Sequence, residues 1–158
     1  MRADDWEAVR DIYGQGLATG NATFETTPPT WEKWNSGHLE HSRLVVWNNQ
    51  TPAGWAALSP VSTRTVYSGV AEVSIYIHES YRGQGLGNLL LKALIENSEE
   101  NGIRTLQASI FPENTASVRL HLQHGFREVG RRERIAKLRG VWRDTIILER
   151  RSQMVGND

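Results

Sequence analysis

The sequence predicts an α+β domain built on one central mixed β-sheet with about four helices around it. Three observations carry that expectation. Segments with the alternation of strands are interleaved with segments of helical spacing. A single strand-glycine-helix crossover sits mid-chain over 71–100, and from 105 onward the order closes as β-α-β-β.

Taken in order, Asp4 or Asp5 caps a first helix whose apolar residues Val9, Ile12, Tyr13 and Leu17 recur at helical spacing, and Gly20 with Asn21 ends it. Thr23, Pro28 and Pro29 make 23–29 an extended loop of the kind that borders a pocket, and Thr30 caps a second helix opening on Trp31. Strands at 44–47 and 54–58 flank a turn at 48–52 and form a hairpin. A polar loop over 60–69 leads to a strand at 71–77, in which alternation puts Glu72, Ser74 and Tyr76 on one face and Val73, Ile75 and Ile77 on the other. Leu86, Leu90, Ala93, Leu94 and Asn97 line one face of the helix that follows, 88–100. Its exposed face carries Lys92, Glu96, Glu99 and Glu100, and Gly102 terminates it. A strand at 105–111, a helix at 114–124 closed by Gly125, and strands at 126–137 and 142–149 around Gly140 complete the chain. Residues 149–158 are expected to form a flexible tail.

A single domain over 1–158 is expected, because 158 residues bury a full core without disulfides or metal staples. Lys+Arg 18 against Asp+Glu 18 leaves a formal net charge of +0, which argues against a partner held by long-range charge. A small molecule is expected instead, with no nucleic acid and no membrane. The absence of cysteine excludes a disulfide framework, a thiolate zinc site and a cysteine nucleophile. No apolar run approaches the ~20 residues of a membrane span. The first six residues are acidic where a secretory leader is basic and then apolar, so a soluble cytoplasmic protein is expected. His38, His41, His78 and His124 have no ligand spacing, and no metal site is expected.

The crossover holds the most informative stretch, Arg82-Gly83-Gln84-Gly85-Leu86-Gly87. Glycines there let backbone N–H groups turn toward a ligand, and the helix start adds about half a positive charge. The result is an anion cradle, with phosphate the expected anion. A Walker loop needs a Gly-Lys-Ser/Thr ending, and a dinucleotide fingerprint needs its third glycine one residue further on. Neither is present.

The spacing Arg82-x-x-Gly85-x-Gly87 resembles the pyrophosphate loop of the GCN5-related N-acetyltransferase (GNAT) family, Arg/Gln-x-x-Gly-x-Gly/Ala. Asn114-Thr115-Ala116-Ser117-Val118-Arg119-Leu120-His121, followed by Gly125-Phe126, is similar to the next helix of that family. Within it, Ala22-Thr23-Phe24-Glu25-Thr26 with Pro28, Pro29 and Trp34, then the 71–77 strand and Trp142-Arg143-Asp144, resemble the phosphinothricin and methionine-sulfoximine acetyltransferase branch. The likeness covers nearly the whole chain. It departs at the start, where members usually carry a short strand of the type Ile-Arg-x-Ala. Here Met1-Arg2-Ala3-Asp4 leads almost directly into the helix, so that edge strand is expected to be short or missing.

The resemblance implies acetyl-CoA as co-substrate, a sheet splayed between the 71–77 and 105–111 strands, and a homodimer, as is common in the branch. It implies that the backbone of Ile75, Tyr76 and Ile77 pairs with the pantetheine arm, an N–H there polarising the thioester carbonyl. Ordinary ladder bonding is the alternative. Arg82 and the N–H groups of Gly83, Gln84, Gly85, Leu86, Gly87 and Asn88 would take the pyrophosphate, although Arg82 reads equally as a solvated loop arginine. Asn114 and Ser117, one helical turn apart, would bond the pantetheine region, and Asn114 also suits an N-cap.

Acyl transfer from a thioester to an amine requires a neutral amine, an attack geometry, oxyanion stabilisation and a proton for the thiolate. Glu72, a carboxylate in a strand of alternating apolar residues, is costly unless it has a job or a partner, and is the candidate general base, acting through water as the resemblance implies. A solvated face or an arginine partner is the other reading. His121 stands where many members carry a tyrosine, seven residues after the Asn, and could protonate the thiolate, though helix histidines more often pack or face solvent. For the acceptor the candidates are Phe24, Glu25, Arg64 and Tyr67: the resemblance places Phe24 and the Arg64 to Tyr67 loop around the amine, and an arginine suits a substrate carboxylate, although an exposed loop arginine reads the same. The expected protein is an acetyl-CoA-dependent N-acetyltransferase of a small amino-acid-like amine. Protein N-acetylation and an acyl-CoA-binding module without turnover are the rivals.

Overall fold

Six strands, β1 (Leu44–Asn48), β2 (Thr51–Pro60), β3 (Val70–Ile77), β4 (Thr105–Ile110), β5 (Arg127–Leu138) and β6 (Val141–Arg151), form one sheet in the order β1-β2-β3-β4-β6-β5. Only β3 and β4 run parallel, so the sheet is mixed, as expected. Four α-helices accompany it, α1 (Trp6–Ala18), α2 (Trp31–Gly37), α3 (Leu86–Glu100) and α4 (Thr115–Gln123). The computed structural model describes residues 1–158. A 3-10 turn at Ala3–Asp5, and no strand, precedes α1. Asp5 takes the N-cap position, but its carboxylate accepts the Arg2 N–H at 2.6 Å rather than a helix N–H. Thr30 caps α2 as its sequence position predicts, accepting the Lys33 N–H at 3.3 Å.

The sheet separates two apolar clusters. On one side Leu90, Leu91, Leu94 and Ile95 of α3 pack with Leu58, Leu106, Ile110 and Leu148, and Val73, Ile75 and Ile77 of β3 join them. On the other, Val9 and Ile12 of α1 and Trp34 of α2 close over Trp55 and Ala57, with Tyr76 against them. Each fully buried side chain of this kind contributes about 1.5–3 kcal/mol, which fixes both faces of β3 and hence the side on which Glu72 emerges.

Three expectations need correction. The buried stripe of α3 is Leu90, Leu91, Leu94, Ile95 and Ser98, turned away from the row through Ala93 and Asn97, because the helix lies across several strands at once. Glu99 does not belong to an exposed face. It accepts from Arg150 at 2.9 Å and from the Ser152 hydroxyl at 2.8 Å, which ties α3 to the end of β6. Residues 149–151 are strand rather than tail, and Ser152 is buried. Beyond them, the Arg151 guanidinium donates to the carbonyls of Arg104, Val155 and Gly156.

The feature that positions the site is a parting of strands. β3 and β4 pair only at Val70↔Thr105, Ala71↔Leu106 and Glu72↔Gln107, whereas β3 stays with β2 up to Ile77 and β4 with β6 up to Ile110. The Tyr76 ring helps hold β3 to its β2 side. It stacks on Trp55 (centroids 5.0 Å, planes 22° apart) and meets Tyr13 edge-on at 4.8 Å. Gly16 of α1 makes room for it, since a Cβ there would lie 2.6 Å from the ring.

Candidate active site

Between the parted ends of β3 and β4 lies a cavity of about 720 Å³, walled by residues 72–77 and 108–110 and closed by α4 and the loop after α1. At one mouth, Gly83 and Gly85 adopt φ of 75° and 80°, a left-handed conformation that favours glycine. Gly85 is the N-cap of α3 and provides no side chain to its first N–H groups. Those donors face the cavity mouth with the positive end of the helix dipole, which is the chemistry of an anion site. Gly83, Gly85, Leu86, Gly87 and Asn88 line the cavity, as does Arg82, whose Nε donates to the Ile77 carbonyl at 3.3 Å. Gln84 is exposed and lies outside the lining.

Glu72 stands on the cavity wall where the strands begin to separate. Burial pushes its carboxyl above the usual carboxylate range, while the Ser109 side chain and the positive charge of Arg132 pull it part of the way back. A carboxylate so placed is a stronger base than one in water, and deprotonating an amine requires that. Ile75, Tyr76 and Ile77 line the same wall, beyond the last β3–β4 pair.

On the far wall, Asn114 is the N-cap of α4. Its Oδ1 accepts the Ser117 N–H at 3.3 Å, and its Nδ2 donates to the Asn21 carbonyl at 3.2 Å. Both it and Ser117 line the cavity. His121 is 2% exposed, with Nδ1 2.7 Å from the Ser117 carbonyl. That oxygen only accepts, so the ring hydrogen resides on Nδ1. Burial lowers the pKa of His121, which holds it neutral.

The four acceptor candidates are not gathered in this cavity. Phe24 sits edge-on against Phe111 at 4.9 Å. Glu25 lines a second cavity of about 220 Å³ with Tyr13, Trp34, Trp55 and Ser74, and Ser74 lines both cavities. Arg64 lies over the Tyr67 ring at 5.4 Å, and neither lines either of these two cavities.

Arg143 has a part that the sequence reading missed. Its guanidinium lies 4.0 Å over the Phe111 ring and donates to the Gly20 carbonyl and to Asn21 Oδ1 at 2.7 and 3.0 Å, pinning the loop that roofs the cavity. Next to it, Asp144 accepts the Arg134 N–H at 2.7 Å and Arg131 Nε at 2.8 Å. This holds a bulge in which residues 133–135 face one residue of β6. The Trp142-Arg143-Asp144 stretch was a usable signal, but the partners of Arg143 at Gly20 and Asn21 lie more than a hundred residues away.

Comparison with known proteins gives this geometry its family. Residues 6–126 match the Acetyltransferase (GNAT) family model. The chain belongs to that family. It is 40% identical over 151 residues to the Bacillus subtilis (strain 168) protein YwnH, a candidate phosphinothricin acetyltransferase, covering 92% of this chain and 93% of that one. It is 35% identical over 151 residues to the L-methionine sulfoximine/L-methionine sulfone acetyltransferase of Pseudomonas paraeruginosa (strain DSM 24068 / PA7), covering 92% and 88%. Among solved structures, a GNAT superfamily phosphinothricin acetyltransferase from Sinorhizobium meliloti in complex with AcCoA superposes with a TM-score of 0.85 at 26% identity, over 100% of this chain and 94% of that one. The GNAT fold and an N-acetyltransferase activity follow for this chain. Its glycine turn, parted strands and α4 line one cleft.

Proposed function

We propose that this GNAT protein transfers the acetyl group of acetyl-CoA to the amine of a small amino-acid-like molecule by direct attack within a ternary complex. The observation that carries the reading is the separation of β3 from β4 with Glu72 at its root and the uncapped start of α3 at its mouth. The residues present fit acetyl-CoA: N–H donors for a pyrophosphate, then a stretch of β3 backbone released from β4 for an amide-bearing arm. When bound, acetyl-CoA supplies an acetyl thioester and a thiolate leaving group. The turn from Gly83 to Asn88 anchors the phosphates, with Arg82 beside them. Backbone groups of Ile75, Tyr76 and Ile77 align the arm and polarise the carbonyl that the amine attacks. Glu72, through water, accepts the proton that the amine nitrogen loses as the new N–C bond forms and the C–S bond breaks.

His121 has its one ring hydrogen engaged at Ser117, and burial opposes a second. Its assigned part is therefore to hold α4 against the cleft, and the thiolate takes its proton from water. The small-acceptor reading draws support from the relatives named for phosphinothricin and methionine sulfoximine. Pairing of two copies through the β5–β6 hairpin is part of the proposal, since Val129, Ile135, Val141 and Trp142 are exposed there.

Calorimetry with acetyl-CoA and a thiol-release assay over an amine panel test the reading together. Release with methionine sulfoximine or phosphinothricin is expected. Tight binding of acetyl-CoA without release for any amine would overturn it in favour of a non-catalytic acyl-CoA module.

A further inference from the structure

The sheet register places a second charged group on the same face of the sheet as Glu72. Glu72 pairs with Gln107, Ser109 two residues on pairs with Ile147, and Thr145 two residues before that pairs with Arg132. Residues in register, and residues two apart on a strand, emerge on the same face of a sheet. Glu72, Ser109, Thr145 and Arg132 therefore share the face covered by α1, with Arg132 two strands beyond β4. The other arginines of this hairpin are largely committed. Arg127, Arg131, Arg143 and Arg150 form the molecule's four ion pairs, and Arg134 lies over the Trp142 ring at 5.2 Å. Arg132 forms no ion pair, and it is exposed. The strand bulges immediately after it, held by the contacts of Asp144, so its point of departure from the strand is fixed. Arg132 lies outside the linings of both cavities, at their edge on this face, and its positive charge reaches the Glu72 carboxyl.

We propose that Arg132 is a specificity-determining residue that holds the acidic group of the acceptor while Glu72 serves its amine. The inference rests on the acetyltransferase reading above and narrows it. The preferred acceptor carries both an amine and an anionic group, because Glu72 alone would favour any cation and an unpaired guanidinium further along the same face penalises acceptors without an acid. A planar guanidinium offers a carboxylate two parallel hydrogen bonds, which an ammonium group matches only as a point charge.

Steady-state kinetics of the full chain test this with methionine sulfoximine and its decarboxylated amine, on the native protein and on R132Q and R132K, with R64Q as a comparison. For R132Q, the KM for methionine sulfoximine is expected to rise about tenfold or more with kcat and the KM for acetyl-CoA little changed. The decarboxylated amine should be turned over at least as well by R132Q as by the native protein, and R132K should fall between the native protein and R132Q on methionine sulfoximine. An unchanged KM in R132Q, or an equal loss on both acceptors, overturns the role of Arg132 and leaves the acetyltransferase reading standing. Failure of the native protein to release thiol with any amine in the wider panel overturns both. If R64Q alone raises the KM for methionine sulfoximine selectively, the acidic group belongs to Arg64 and the inference is wrong.

Discussion

Glu72, the proposed base, stands where burial of its carboxylate works against the stability of the fold. Its folded-state pKa is raised by burial, so the folded chain holds the proton more tightly than the unfolded chain does. Stability is therefore lost as pH rises through the ordinary carboxylate range up to the folded-state value, and the full penalty persists above it. Replacing Glu72 by Gln should raise Tm at pH 8, with the gain shrinking toward pH 4. The same change should lower kcat/KM by about 10²–10⁴ and remove its acidic limb, whereas an unchanged pH–rate profile would take Glu72 out of the mechanism. His121 and His38 have the opposite dependence. Burial lowers both pKa values, so below about pH 6.5 the unfolded chain takes up protons that the folded one refuses, and Tm should decline there. In His121→Gln the decline should be shallower and thiol release should stay within about tenfold of the native rate. A loss of a hundredfold would make His121 the proton donor after all.

At the scale of elements, the cleft depends on glycines at two unlike places. Gly85→Ala places an alanine in the left-handed region at a cost of about 1–2 kcal/mol and should weaken acetyl-CoA binding in calorimetry. Gly16→Ala gains helix propensity but drives a Cβ into the Tyr76 ring. A net destabilisation of about 1–3 kcal/mol in denaturant titration is expected, with a raised KM for acetyl-CoA as β3 shifts. Much of this geometry is legible in the chain itself. Alternation over 71–77 told which face of β3 carries Glu72, and the glycines marked the turn into α3. The parting of β3 from β4 left no trace in periodicity, because pairing between strands is a long-range property. The same holds for Glu99, which helical spacing turns outward until Arg150 covers it. It holds for 149–152 as well, polar residues near a chain end whose partners are Arg104 and Glu99. Arg132 could be placed on the face of Glu72 only once the register of three strand pairs was known.

For the molecule as a whole, a net charge of zero conceals an uneven distribution. Residues 127–151 contain nine basic and four acidic side chains, a surplus of five positive charges that the rest of the chain balances. β5 is also an edge strand, with exposed Val129, Ile135, Val141 and Trp142 on its hairpin. Two copies joined there would bring like charges together, so sedimentation should show twice the 17.9 kDa chain mass, with the pair tightened by added salt and split by Trp142→Glu. A single 17.9 kDa species at all salt concentrations would rule the pairing out. The parted strands have a consequence for the life of the protein as well as for its chemistry. Backbone donors and acceptors that no neighbouring strand satisfies are left to water until acetyl-CoA fills the gap, and a ligand that binds only the folded chain shifts the folding equilibrium by mass action. At a hundred times Kd the shift is about 2.7 kcal/mol, on the order of 5–10 °C in Tm for a chain of this size. Resistance to unfolding, and with it to proteolysis, would then follow the supply of acetyl donor, so that the enzyme persists when its co-substrate is plentiful and is cleared when it runs short.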